Sequence, residues 1–81
     1  MKLHYTGRFR RGYESTPPHI QRAFDRRAVL LVQNLRHPSL RAKKYDEARS
    51  IWQAQVNGGW RFYFTIEGDT YRLLSIIPHP K

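Results

Sequence analysis

The 81 residues carry fifteen Lys and Arg against six Asp and Glu, a formal net charge of +9, with four His and no Cys. A chain of this length buries only about 60–65% of the surface its unfolded form exposes, so one small domain, residues 1–81, is expected, and without cysteine neither a disulfide nor a thiolate metal site can reinforce its core. No apolar stretch nears the ~20 residues that cross a bilayer and the first residues lack a signal-peptide core, so the expectation is a cytoplasmic protein, off the membrane, that meets an anionic partner, nucleic acid or acidic protein.

Leu3 and Tyr5 alternate with His4 and Thr6, which predicts a short first strand. The segment "RFRRGYES" forms one or two helical turns before "STPPHI" interrupts it, and Ser15 or Thr16 is placed to cap the next helix, with Pro17 or Pro18 in its first turn. From Pro18 to Leu35 the apolar residues Ile20, Phe24, Ala28, Leu31 and Leu35 recur at spacings of four, four, three and four, the pattern of a helix with one buried stripe. Asp25 stands one turn from Arg22, an expected ion pair. Pro38 ends that helix. The stretch "RAKKYDEARS" has no period and reads as a basic loop, with a strand start near Leu40 to Tyr45 left open.

Three apolar runs follow, "SIWQAQV", "WRFYFTI" and "YRLLSIIP", divided by turns at Asn57-Gly58-Gly59 and Gly68-Asp69. They predict an antiparallel meander. Trp60, Phe62, Phe64 and Ile66 share one face of the middle strand, joined by Trp52, Ala54 and Val56, and this face must meet the long helix. Arg61, Tyr63 and Thr65 take the other face, beside Gln53 and Gln55. The last strand is apolar on both sides, which places it inside the sheet with the first strand beside it. The whole is one α+β unit.

Folding alone does not account for Arg61, in the middle of an aromatic strand, or for His79, held between Pro78 and Pro80 at the end of an apolar one. A guanidinium, an imidazole and nearby lysines on an open sheet face suit a phosphodiester. When a ribose 2′-oxygen attacks its own phosphate, Arg or Lys can stabilise the charge on the equatorial oxygens and His can protonate the departing 5′-oxygen. The plain alternative is an arginine that is merely solvated and a histidine that is incidental. The four histidines, His4, His19, His37 and His79, show no ligand spacing, and no metal or other cofactor is expected.

The order of elements, together with "HPSLRAKK" and "IWQAQVNGGWRFYFTIEGDTYRLLSIIPHPK", resembles the RelE/ParE superfamily of type II toxin–antitoxin toxins, and most closely its RelE/YoeB-like branch. The resemblance implies an α+β fold, a twisted antiparallel sheet of about four strands on a helical hairpin. It also implies an endoribonuclease that cleaves mRNA on the ribosome by metal-independent transphosphorylation and is neutralised by an acidic antitoxin in a hetero-oligomer. Carried over residue by residue, Arg61 contacts the scissile phosphate, His79 is the general acid or base, and Glu47 stands within a few positions of the branch's general base. Lys43 and Lys44 match its basic stretch, and Arg41, Arg49, Gln55, Tyr63 and Lys81 are expected to complete the RNA- or phosphate-contacting set. Gln55 replaces a second strand arginine and Pro80 replaces a tyrosine. The alternatives that the resemblance leaves are a ParE-like inhibitor of DNA gyrase, which needs no terminal imidazole, and an inactive RNA- and antitoxin-binding relic.

Overall fold

The computed structural model describes residues 1–79. In chain order its elements are strand β1 (Lys2–Tyr5), helices α1 (Gly7–Glu14) and α2 (Pro18–Gln33), a 3-10 turn (Pro38–Leu40), and strands β2 (Lys43–Asp46), β3 (Ile51–Asn57), β4 (Trp60–Glu67) and β5 (Thr70–Pro78). The α+β class, the helical hairpin and the β3–β4–β5 meander match the expectation from sequence.

The sheet order is β1-β5-β4-β3-β2. Two features differ from the expected sheet. There are five strands, because the basic segment read as a loop supplies β2 as an edge strand on β3. The sheet is also mixed: β1 runs parallel to β5, while every other pair is antiparallel. Lysines on an edge strand discourage pairing with other chains, but they also erase the apolar alternation by which a strand is recognised.

Thr6 starts α1 and fastens it in place. Its Oγ1 accepts the Phe9 N–H at 3.1 Å and donates to the Leu73 carbonyl at 2.7 Å, so one hydroxyl caps the helix and ties it to β5. β1 stops pairing at Tyr5 opposite Leu73, and α1 then packs along the remainder of β5. The expected cap on α2 does not form. Pro17 holds the N-cap position without a side-chain bond, and the Thr16 hydroxyl instead donates to the Tyr13 carbonyl at 2.8 Å. Pro18, at the first helical position, has no N–H to satisfy, so a side-chain cap has less to do. Asp25 likewise forms no ion pair with Arg22. It accepts the Tyr13 hydroxyl at 2.9 and 3.1 Å, which links the two helices.

Ile20, Phe24, Ala28 and Leu31 are the buried stripe of α2. They meet one sheet face through an aromatic column in which Phe9 lies 5.0 Å from Phe24, and Phe24 lies 5.1 Å from Phe62 at a right angle. Phe62 and Phe64 are fully buried. The register between β4 and β5 slips at Tyr63/Phe64: Tyr63 opposes Ser75 and Phe64 opposes Leu73, leaving Leu74 as an extra residue. This bulge lets Leu73 and Ile76 both enter the core and turns Leu74, Ser75 and Ile77 toward the other, uncovered face.

Candidate functional site

The uncovered sheet face carries the candidate site. Alternation along β4 puts Arg61 and Tyr63 on it, opposite Gln55 and Gln53 of β3. Lys43 of β2 pairs with Gln53 and completes the row. Arg41, Lys43, Gln53, Gln55 and Arg61 line a cleft of about 180 Å³. Three of its side chains are cations, none is an acid, and among the described residues none of the three has a carboxylate partner.

Arg61 is half-buried, and the preceding turn holds it. Its Nη1 donates to the carbonyls of Asn57 at 2.7 Å and Trp60 at 3.0 Å, with a longer contact of 3.4 Å to Gly58. That turn is itself braced: Asn57 Oδ1 accepts the Gly59 N–H at 2.8 Å. The His79 N–H donates to the Gly59 carbonyl at 2.8 Å. A single hairpin turn therefore anchors both Arg61, through its side chain, and His79, through its backbone. The His79 residue is exposed beyond it. The Asn-Gly-Gly sequence marks Asn57 as a turn former, and the structure adds a second task, since its carbonyl also holds Arg61.

The remaining expected residues divide. Gln55 lies in the cleft opposite Arg61, and Arg41 reaches its mouth from a left-handed backbone conformation, φ 46° and ψ 43°. Lys44 points to the opposite sheet face, where its Nζ sits 5.5 Å from the Trp52 ring centre and 3.8 Å from Glu47. Adjacent residues of a strand face opposite ways, which a loop reading of "RAKK" does not anticipate. Glu47 and Arg49 occupy the turn between β2 and β3, where Arg49 pairs with Asp46. Asp46 opposes Ile51 while Arg61 opposes Gln55. Four residues of strand separate these positions, about 13 Å, so the structure does not bring Glu47 to the Arg61 corner. Tyr63 is 8% exposed, its hydroxyl accepting the Gln53 Nε2–H at 2.8 Å, and it is the neighbouring Tyr45, 61% exposed, that faces solvent. The expectations for Lys81 and Pro80 lie outside the described residues.

Histidine is not gathered with other ligands: His37 accepts the Ser39 N–H through Nδ1 as a local cap, and among the described residues no three His, Asp or Glu side chains converge. No helix among them is long and apolar enough to cross a membrane.

No protein-family model matches the chain, and no curated protein does. Solved structures do. A YoeB/ParE toxin from Agrobacterium tumefaciens superposes with a TM-score of 0.82 at 14% identity, over 99% of this chain and 100% of that one. The toxin–antitoxin complex RelBE2 from Mycobacterium tuberculosis gives 0.78 at 21% identity, with 96% of each chain covered. The heterotetrameric YoeB–YefM toxin–antitoxin complex from Staphylococcus aureus gives 0.77 at 10% identity, over 99% and 98%. At these identities the likeness is one of fold, and it runs end to end: the chain has the fold of the YoeB, ParE and RelE toxins of toxin–antitoxin systems.

Proposed function

We propose that this chain is the toxin of a type II toxin–antitoxin system and an endoribonuclease that cleaves mRNA by metal-independent transphosphorylation, inhibiting translation in the cytoplasm. The observation that carries the reading is the cleft of three cations with no acid, beside the turn that also fixes His79. Positive charge left uncompensated at a half-buried guanidinium is an unfavourable arrangement unless an anion fills it.

The chemistry follows from the groups present. The ribose 2′-oxygen forms a bond to phosphorus, its proton passing to solvent, while the bond from phosphorus to the 5′-oxygen breaks. Arg61 and Lys43, with Arg41 at the mouth, stabilise the negative charge that builds on the equatorial oxygens. His79 donates the proton that the 5′-oxygen takes up as it leaves. The products are a 2′,3′-cyclic phosphate and a free 5′-hydroxyl.

Four of the six acids lie in exposed ion pairs outside the cleft, with Lys2, Lys44, Arg49 and Arg72. The cationic face is therefore available to an acidic antitoxin segment, in keeping with the antitoxins bound in the RelBE2 and YoeB–YefM complexes.

Expression of the intact chain without a neutralising partner should arrest growth, and purified protein should leave 2′,3′-cyclic ends on mRNA in a translation extract containing EDTA-treated protein. Arg61→Ala and His79→Ala should each lower cleavage by about 10²-fold or more. Full growth inhibition by both variants would overturn the catalytic assignment, and loss of gyrase supercoiling in their presence would point to a DNA-gyrase poison instead.

A further inference from the structure

Beside the cationic cleft, on the same sheet face, lies a second recess of about 220 Å³ with different chemistry. Its walls are Leu74 and Ile77 of β5, turned outward by the bulge, with Arg8 of α1 on one side and Tyr45 of β2 on the other. Tyr45 is 61% exposed, yet it is not loose: its ring stands edge-on to Tyr63, centroids 5.0 Å apart at 68°, and Tyr63 is held from behind by Gln53. Ile77 directly opposes Arg61 in the β4–β5 register, so recess and cleft adjoin.

An exposed tyrosine face, an arginine and an aliphatic floor, each supplied by a different element, meet here with more apolar surface than the packing on Tyr63 uses. Ile77, at 40% exposure, and Tyr45 leave apolar area in water. We propose that this recess seats one nucleobase of a single-stranded RNA, stacked on Tyr45 and bordered by the Arg8 guanidinium, while the phosphate next to that base lies in the Arg41–Lys43–Arg61 cleft. The occupant is set by the neighbourhood. Arginine beside the recess and three cations beyond it disfavour a cationic ligand, and a largely apolar recess adjoining a cationic cleft fits a nucleotide, which joins a π-face to an anion. Tyr45 and Lys43 stand two residues apart on one strand, about 6.6 Å, a span that a base and its own phosphate bridge. The inference rests on RNA being the ligand of the cleft.

The test uses the full chain and a labelled single-stranded RNA decamer carrying 2′-O-methyl groups throughout, which keeps the ribose but cannot be cut because its 2′-oxygens are blocked. Tyr45→Ala should weaken binding about tenfold or more, and Tyr45→Phe should bind as wild type. The salt dependence should keep its slope in Tyr45→Ala, because stacking releases no counterions, whereas Lys43→Ala should flatten it. Placing an abasic residue at successive positions of the decamer should reveal one position at which wild type and Tyr45→Ala become equal. Thermal melting confirms that the variants fold, as expected for an exposed side chain. Equal affinities of wild type and Tyr45→Ala, or a loss that no abasic position removes, would overturn the proposal, as would a loss confined to binding of an acidic protein partner. Equal affinities alongside cleavage that still requires His79 would sink the recess and spare the nuclease reading; a Tyr45-dependent base seat in a wild-type protein that cuts no RNA would do the reverse.

Discussion

One amino group of the Arg61 guanidinium is committed to the Asn57, Gly58 and Trp60 carbonyls, and among the described residues Nη2 and Nε have no bond, so two nitrogens with three N–H donors remain for a phosphate. Their aim depends on Asn57, whose side chain braces the turn. Asn57→Ala should therefore leave the protein folded and lower the single-turnover cleavage rate about 10- to 100-fold, with little change in affinity for an uncleavable RNA; an equal fall in both would mean that the turn serves binding alone. Arg41 offers a second residue-level test. Its left-handed backbone strains a side-chain-bearing residue and suits glycine, so Arg41→Gly should melt no lower than wild type within about 1 kcal/mol, yet its RNA affinity should lose about 0.7 from the salt slope. Arg61 was legible in the sequence because strand alternation alone assigns its face. The exchange between Tyr63 and Tyr45 was not, since Tyr63 is buried by a strand that the charged sequence left only as an open alternative to a loop, and a loop assigns Lys44 to neither sheet face.

At the level of elements, the legible parts were those with a period or a turn signal. The spacing of apolar residues gave α2, and Asn57-Gly58-Gly59 and Gly68-Asp69 gave the two hairpins. The direction of β1 carried no such mark, because four alternating residues read the same parallel or antiparallel, and the bulge at Leu74 depends on which residues of two strands compete for the core. Phe24 is where helix and sheet meet, touching Phe9 and Phe62. Phe24→Ala should cost about 3–5 kcal/mol, a large share of a small domain's stability, measurable by urea denaturation. The helices are also joined by the Tyr13–Asp25 bond, and burial, the larger cause, together with Asp25 raises the Tyr13 phenol above its ordinary value. Burial raises Tyr71 similarly, and burial with Asp25 raises Tyr5. A phenol whose pKa is higher folded than unfolded stabilises the fold below about pH 10 and loses that contribution as pH rises further. Stability should thus fall above about pH 10, and Tyr13→Phe should reduce the alkaline part of that fall while lowering stability at neutral pH.

Taken whole, the molecule separates its charges. Exposed ion pairs such as Lys2–Asp69 and Arg72–Glu67 contribute about 0–1 kcal/mol each, and their significance is that they draw acids away from the cleft. An anion that fills the cleft binds only the folded chain, so an uncleavable RNA at about 100 times its Kd should stabilise the protein by about 2.7 kcal/mol. The resulting rise in melting temperature should shrink steeply between low and physiological salt. The parallel pairing of β1 with β5 has a further consequence, in time. Thr6 bonds to Leu73, 67 residues later, and β1 has no strand partner until β5 has been made. Contacts of such separation form late. During synthesis the chain therefore leaves β1 unpaired and helix α1 unfastened until β5 has emerged, and only then does the sheet close.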